Sequence, residues 1–193
     1  MLAVALLMLL APAAPLGAGR SDGTGYPLSC SYIARGELEN ADRCAASAAG
    51  TFHITTEVVA KLSYDHGLAS IAIHGRGWFY RRRDGRMVEM LTFDNGPDFF
   101  AEGLARAKID GRLVYVDRRL RIRIPTRYSF AEPFRHGRAA MCIGCISVPV
   151  DRGEHHAMRG GLWGIIDRRG REIVPPTLTQ SDFEQQRARL TGP

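Results

Sequence analysis

Two short stretches concentrate the side chains that could do chemistry. Cys142-Ile143-Gly144-Cys145 places two thiols at the spacing of a redox or metal motif, and Glu154-His155-His156 follows it closely. Three readings fit. Two thiolates and one or two imidazoles (Cys142, Cys145, His155, His156) could form a tetrahedral zinc shell. The Cys-x-x-Cys could exchange disulfides, or the two cysteines could simply staple a loop. A redox motif ordinarily opens a helix at its first cysteine. Here Ile146-Ser147-Val148-Pro149-Val150 follows and reads as extended chain. The staple is therefore the favoured reading in an oxidising compartment. It implies no cofactor, with zinc as the alternative.

Other candidates are weaker against their structural explanations. Trp78-Phe79-Tyr80-Arg81-Arg82-Arg83 interleaves aromatic and basic groups, as a nucleic-acid patch would. The same order arises if the aromatics are core positions and the arginines a turn, so no nucleic-acid partner is expected. Asp94-Asn95-Gly96-Pro97-Asp98 offers oxygen ligands but lacks the twelve-residue calcium loop with its terminal Glu, and Asn-Gly with Pro reads as a tight turn. The chain contains no Gly-x-Ser-x-Gly elbow, His-Glu-x-x-His or phosphate-binding loop. No catalytic residue is assigned, and a non-enzymatic protein is expected.

The chain has 193 residues and a net charge of +6. Only Lys61 and Lys108 are lysines, so 24 of the 26 basic residues are arginine. Arginine pairs bidentately with phosphate and carboxylate. Arg81, Arg82, Arg83, Arg121 and Arg123 are the candidate surface for an anionic partner, although codon bias is the favoured explanation of the arginine content, because the arginines are spread along the chain. Leu2 to Leu10 is an uninterrupted apolar run followed by small residues, the pattern of a secretory signal over residues 1–19. Cleavage is expected near Ala18 or Gly19, with no transmembrane span afterwards. No Lys or Arg precedes the run, so retention as an anchor is the alternative. Four cysteines agree with export, and their proximity favours Cys30–Cys44 and Cys142–Cys145.

The elements that would position these groups recur. Gly67-Leu68-Ala69, Gly103-Leu104-Ala105 and Gly137-Arg138-Ala139 stand 36 and 34 residues apart. A hydrophobic cluster follows each triplet: Trp78-Phe79-Tyr80, Leu113-Val114-Tyr115-Val116, and Trp163-Gly164-Ile165-Ile166. Each cluster leads into a turn, most clearly Asp167-Arg168-Arg169-Gly170 and Asp117-Arg118-Arg119-Leu120. An aspartate that accepts local amide hydrogen bonds suits such a turn. Arg121-Ile122-Arg123-Ile124 alternates as a returning strand with its arginines outward, and Pro125 ends it. Ile173-Val174-Pro175-Pro176 should end the third copy in the same way.

Gly161 to Pro176, with Trp163-Gly164, Asp167, Gly170 and the proline pair, resembles a WG repeat. Phe100-Ala101-Glu102-Gly103-Leu104-Ala105 matches that family's inter-copy segment. The resemblance implies a mainly β fold associated with binding or scaffolding and implies no general catalytic residue. Trp78, Gly103, Gly137, Trp163, Gly164, Asp167 and Gly170 are its structural positions. The first copy departs at Phe79 and the second at Leu113-Val114.

The expected architecture is about three short antiparallel β-hairpin or meander repeats with a small, partly helical cap. Residues 20–66 form the disulfide-stapled cap, with helices expected over Glu37–Ala49 and Thr55–Leu62. The repeats span 67–102, 103–136 and 137–185, the last carrying a Cys/His insertion at 141–160. A short helix is expected over Asp182–Leu190, and residues 186–193 are a tail. The functional expectation is a periplasmic or cell-envelope binding or scaffolding protein whose partner is a protein or an anionic envelope component. The alternative is a thiol-redox or zinc protein centred on the insertion.

Overall fold

The computed structural model describes residues 25–153 and 155–191. The predicted signal segment and Glu154 lie outside the described residues. The fold is mainly antiparallel β with a C-terminal helix, and its largest sheet is curled into a half-barrel.

Three strands open the described chain: β1 (Leu28–Ala34), β2 (Glu37–Ala48) and β3 (Thr51–Ile54). The expected helix over Glu37–Ala49 is therefore a strand. Arg35 and Gly36, both at positive φ, make the two-residue turn that folds β2 back on β1. A bulge lets Leu28 pair with Ala45 while Cys30 pairs with Ala41, and Cys30 is bonded to Cys44. Strand pairing and this bond override the helix propensity of the alanine- and glutamate-rich stretch. The second helix expected in this region is present as α1 (Thr56–Lys61). Its N-cap Thr55 accepts the Val58 amide, and Val58 and Leu62 are buried.

Next come β4 (Leu68–Ile73), β5 (Gly77–Arg82) and β6 (Met87–Met90), then a small hairpin of β7 (Thr92–Phe93) and β8 (Gly96–Pro97). That hairpin turns at Asp94-Asn95, as the Asn-Gly-Pro sequence predicts. The chain continues through β9 (Ala105–Ile109), β10 (Arg112–Val116), β11 (Ile122–Pro125), β12 (Phe130–Ala131) and β13 (Arg138–Ile143). The insertion forms a separate ribbon of β14 (Ile146–Val150) and β15 (His155–Arg159). Finally β16 (Leu162–Asp167) and β17 (Glu172–Thr179) lead into α2 (Gln180–Thr191), which contains the helix expected near the C-terminus.

One nine-stranded sheet runs β11-β10-β9-β6-β5-β4-β1-β2-β3. The N-terminal strands thus continue the sheet through the β1–β4 pairing. A four-stranded sheet runs β12-β13-β16-β17. Three meanders share one plan: β4-β5-β6, β9-β10-β11 and β13-β16-β17. Each is entered through a two-residue turn with positive φ at both positions, at His66-Gly67, Glu102-Gly103 and His136-Gly137. Such turns match the twist of antiparallel strands, and glycine takes the second position without steric cost.

Two strand endings differ from expectation. Ile122 is 45% exposed whereas Ile124 is 3% exposed. Val116 pairs with Ile122 while Tyr115 pairs with Ile124, so a bulge at Arg123 breaks the alternation. In the third meander, β17 does not stop at Pro175-Pro176. It runs on to Thr179 across an irregularity opposite Gly164.

The two larger sheets share a core. Tyr115 and Ile124 from the nine-stranded sheet pack with Ala131, Met141 and Ile166 from the four-stranded one. Gly170 sits against this seam, where a β-carbon would lie 2.7 Å from Cγ2 of Ile124.

Candidate functional site

The insertion, α2 and Trp163 together build a cleft of about 520 Å³. Its apolar lining comes from Phe130, Ala157, Met158 and Trp163. Trp163 is 3% exposed, stacks on Phe183 of α2 with ring centroids 5.5 Å apart, and donates Nε1–H to the Gly160 carbonyl at 2.8 Å. Thr179 caps α2 by accepting the Asp182 amide, which fixes where the helix begins. Gln180 ties helix and ribbon together: its Oε1 accepts the Gly160 amide at 2.9 Å and its Nε2 donates to the Met158 carbonyl at 3.3 Å.

The cleft walls carry both signs of charge. Glu132 accepts two hydrogen bonds from Nη2 of Arg187, at 2.7 and 2.5 Å. Arg159 and Glu184 also line the space. Sequence reasoning missed these residues, although Gln180, Glu184 and Arg187 stand at i, i+4 and i+7 on one helix face.

The structure joins Cys142 and Cys145 as the favoured staple and separates the residues of the alternative zinc shell. Cys142 and Cys145 are bonded to each other and buried, at 0% and 6% exposure. Their sulfurs are not thiolate ligands in this arrangement, nor do they present the exposed sulfur that disulfide exchange needs. His155 and His156 are consecutive in β15, so their side chains leave opposite faces of the ribbon. His156 lines the cleft and its Nδ1 lies 3.2 Å from Oγ of Ser147. Among the described residues no group of three His, Cys, Asp or Glu side chains is placed to hold a metal ion.

A second depression, of about 260 Å³, lies where the β5–β6 and β10–β11 turns meet. It is lined by Arg82, Asp84, Arg86, Arg119 and Arg121. Of the arginines picked out from the sequence, Arg82 and Arg121 come together here. Arg81 instead donates to the Tyr64 hydroxyl at 2.7 Å, and Arg83 lies over the Tyr64 ring at 4.1 Å. Arg123 is exposed on β11 and does not line the depression.

The turns are built as their aspartates predict. Asp117 Oδ1 accepts the amides of Arg119 and Arg121 at 2.9 and 3.0 Å, and Asp167 Oδ1 accepts those of Arg169 and Arg171 at 2.8 and 2.9 Å. Partial desolvation raises the Asp167 pKa, but the Arg171 and Arg169 hydrogen bonds outweigh it and hold the carboxyl below its ordinary value. The entry turns are linked too, because the Glu102 carboxylate accepts the Gly137 amide at 3.1 Å and pairs with Arg168. Trp78 is half-buried in β5, with Phe79 buried beneath the opposite face.

The Trp-Gly pair itself has a steric explanation. A β-carbon on Gly164 would collide with the Val174 carbonyl and lie 2.8 Å from Pro175 C and 2.9 Å from Met141 Cε. The continuing β17 backbone presses on this position, so only glycine fits. The WG containing repeat model matches residues 115–144 and 163–189. This is a WG-repeat-containing chain. The WG match takes in the Asp117 and Asp167 turns, while the Trp78 meander lies outside it. Val114, just before the first WG segment, stands where the third meander has Gly164; it is buried and pairs with Pro125, where β11 ends. No curated protein and no solved structure matches the chain.

Proposed function

We infer that this chain is a non-enzymatic binding and scaffolding protein of the cell envelope, and that it holds an envelope protein in the Trp163 cleft. The observation that carries this reading is the cleft itself. Its volume falls within the range of ligand sites, about 300–1,000 Å³. It combines an apolar floor with hydrogen-bonding walls, among them Ser147 and His156, whose Oγ and Nδ1 lie 3.2 Å apart. Acidic and basic groups alternate around it, which suits a short polar segment of a partner more than a strongly charged one. Two disulfides fit an oxidising, extracytoplasmic compartment. No described helix is long and apolar enough to cross a membrane.

The test is retention of a partner from envelope extract by the mature protein. The inference expects one identifiable protein, retained by wild type and by Arg123→Gln, and lost when Arg159→Glu is combined with Glu184→Arg. Retention of nothing by wild type, or equal retention by the double variant, counts against it. The thiol or zinc alternative requires free sulfurs where a buried bond stands. Two titratable thiols and one bound zinc in the purified protein would establish that alternative instead.

A further inference from the structure

The arginine-lined depression is independent of the cleft and has a chemistry of its own. We propose that Arg82, Arg86, Arg119 and Arg121 form a binding site for a multiply charged phosphate group. Four guanidinium groups and one carboxylate give the lining a formal charge of +3. The site is also held in shape. Asp117 fixes the backbone of Arg119 and Arg121 by accepting both amides, and Asp84 fixes that of Arg86 by accepting its amide at 3.1 Å. The other oxygen of Asp84 accepts Arg82 Nε at 3.0 Å, while Arg82 Nη1 reaches the Arg119 carbonyl at 3.5 Å across the gap between the turns. The two turns thereby become one unit.

Leu120 explains how turns from separate meanders come to meet. It occupies the place that glycine holds in the third meander, at φ +57°, and is fully buried. Its side chain packs with Leu68, Val88 and Met90 inside the curled sheet, drawing its turn toward β5 and β6. The third meander has the same aspartate and arginines, yet its turn makes other contacts. Gly170 rests on Ile124, Arg168 donates to the Glu102 carbonyl, and Arg171 pairs with Asp167. The four-arginine depression therefore arises from the meeting of the first two turns.

Phosphate suits this lining better than carboxylate. A carboxylate presents two oxygens in one plane and one charge, which a single guanidinium fork satisfies. A phosphomonoester presents three oxygens in three directions and about −1.5 to −2 charges at neutral pH. Arginines converging from two turns match the second pattern. The phosphate can come from a soluble or polymeric anion or from a lipid headgroup, and the experiment separates these sources.

The mature protein is titrated calorimetrically with inorganic pyrophosphate and, in parallel, sedimented with phosphatidic acid vesicles and with phosphatidylcholine vesicles. Citrate serves as the carboxylate control. The expected result is binding to pyrophosphate, to phosphatidic acid vesicles, or to both, and at least tenfold weaker binding of citrate. Arg119→Gln with Arg121→Gln should weaken the bound arm at least tenfold. Arg112→Gln, an exposed arginine outside the depression, should stay within twofold of wild type. Arg119→Lys with Arg121→Lys keeps the charge but loses the fork, and should fall between the two. Unchanged thermal melting of each variant shows that folding is not the cause. Pyrophosphate binding alone assigns a soluble or polymeric phosphate, and vesicle binding alone assigns a headgroup. No binding in either arm, equal binding of citrate, or binding indifferent to Arg119 and Arg121 overturns the proposal.

Discussion

Asp98 and Arg106 form a buried two-pronged ion pair at the junction of the sheets. Asp98 Oδ1 accepts Nη2 at 2.6 Å, and Oδ2 accepts both Nε at 3.0 Å and the Arg106 backbone amide at 2.7 Å. The remaining guanidinium edge donates to the Ala131 carbonyl of β12 at 3.1 Å. One pair therefore connects the β8 exit, β9 and the first strand of the other sheet. Removing one partner leaves the other charge buried, so Asp98→Ala should cost about 3–5 kcal/mol. Asp98→Val combined with Arg106→Met should lose less. Recovery will be incomplete, because the Arg106 amide still lacks its acceptor. Denaturant unfolding of the three variants measures both effects, and a double variant no more stable than Asp98→Ala would count against this account.

Gly164 offers a test of why the Trp-Gly pair exists. Gly164→Ala forces a methyl group into the Val174–Pro175 backbone and the Met141 side chain. Overpacking of this kind costs about 1–3 kcal/mol. Loss of amide protection should concentrate in β16 and β17, with β4 and β5 little changed. Hydrogen exchange on the variant reads this directly. Exchange loosened uniformly through both sheets would show that the glycine does not act through β17.

Much of this was legible because turn chemistry is local. Asp117, Asp167 and the three turn glycines act through backbone amides and φ angles within a few residues, and the structure places them as their spacing predicts. The cysteine pairings were legible for the same reason of proximity. Glu37–Ala49 was misread because its composition favours a helix, while its pairing with β1 and the Cys30–Cys44 bond are tertiary facts. Pro175-Pro176 was misread as a stop because the bulge that carries β17 past it depends on the space left by Gly164. Asp98 was visible only as part of a turn, since nothing near it in sequence identifies Arg106 as its partner. The meeting of Arg82 and Arg86 with Arg119 and Arg121 is the same kind of case. It depends on sheet curl and on where Leu120 is buried, neither of which is periodic in the chain.

The two disulfides should contribute unequally. Cys30–Cys44 spans a sequence separation of 14, and closing such a loop in the unfolded chain is worth about 3 kcal/mol. Cys142–Cys145 spans only 3, for which the same relation gives about 1.5 kcal/mol. Paired Cys→Ser replacements compared by denaturant unfolding should preserve that order. Thiol counting on the unreduced native protein should find no reactive cysteine. A larger loss at Cys142–Cys145 would mean that the bond holds the cleft through packing beside Trp163, with loop entropy secondary.

Glu172 and Tyr128 form a linked pair whose contribution to stability depends on pH. The Arg127 guanidinium donates to Glu172 at 2.8 Å and the Tyr128 hydroxyl donates to the same oxygen at 3.1 Å. The Arg127 hydrogen bond holds the Glu172 carboxyl below its ordinary value, with Tyr128 acting in the same direction. Burial, then the Glu172 hydrogen bond, pushes the Tyr128 phenol from 10.0 up to about 12. The two shifts act at opposite ends of the pH scale. Glu172 is depressed, so its contribution to stability is present above the ordinary carboxylate range and is lost as pH falls through the folded value. Tyr128 is raised, so its contribution is present below pH 10.0 and is lost as pH rises through about 12. Glu172→Gln removes the negative neighbour, and the Tyr128 midpoint should move down toward 10.0 while burial keeps it somewhat elevated. Residue-resolved NMR titration distinguishes Tyr128 from Tyr115, whose buried phenol is raised further still. A Tyr128 midpoint that does not move in Glu172→Gln would mean that burial alone sets it, and that the link from the β11–β12 segment to β17 is not made through this carboxylate.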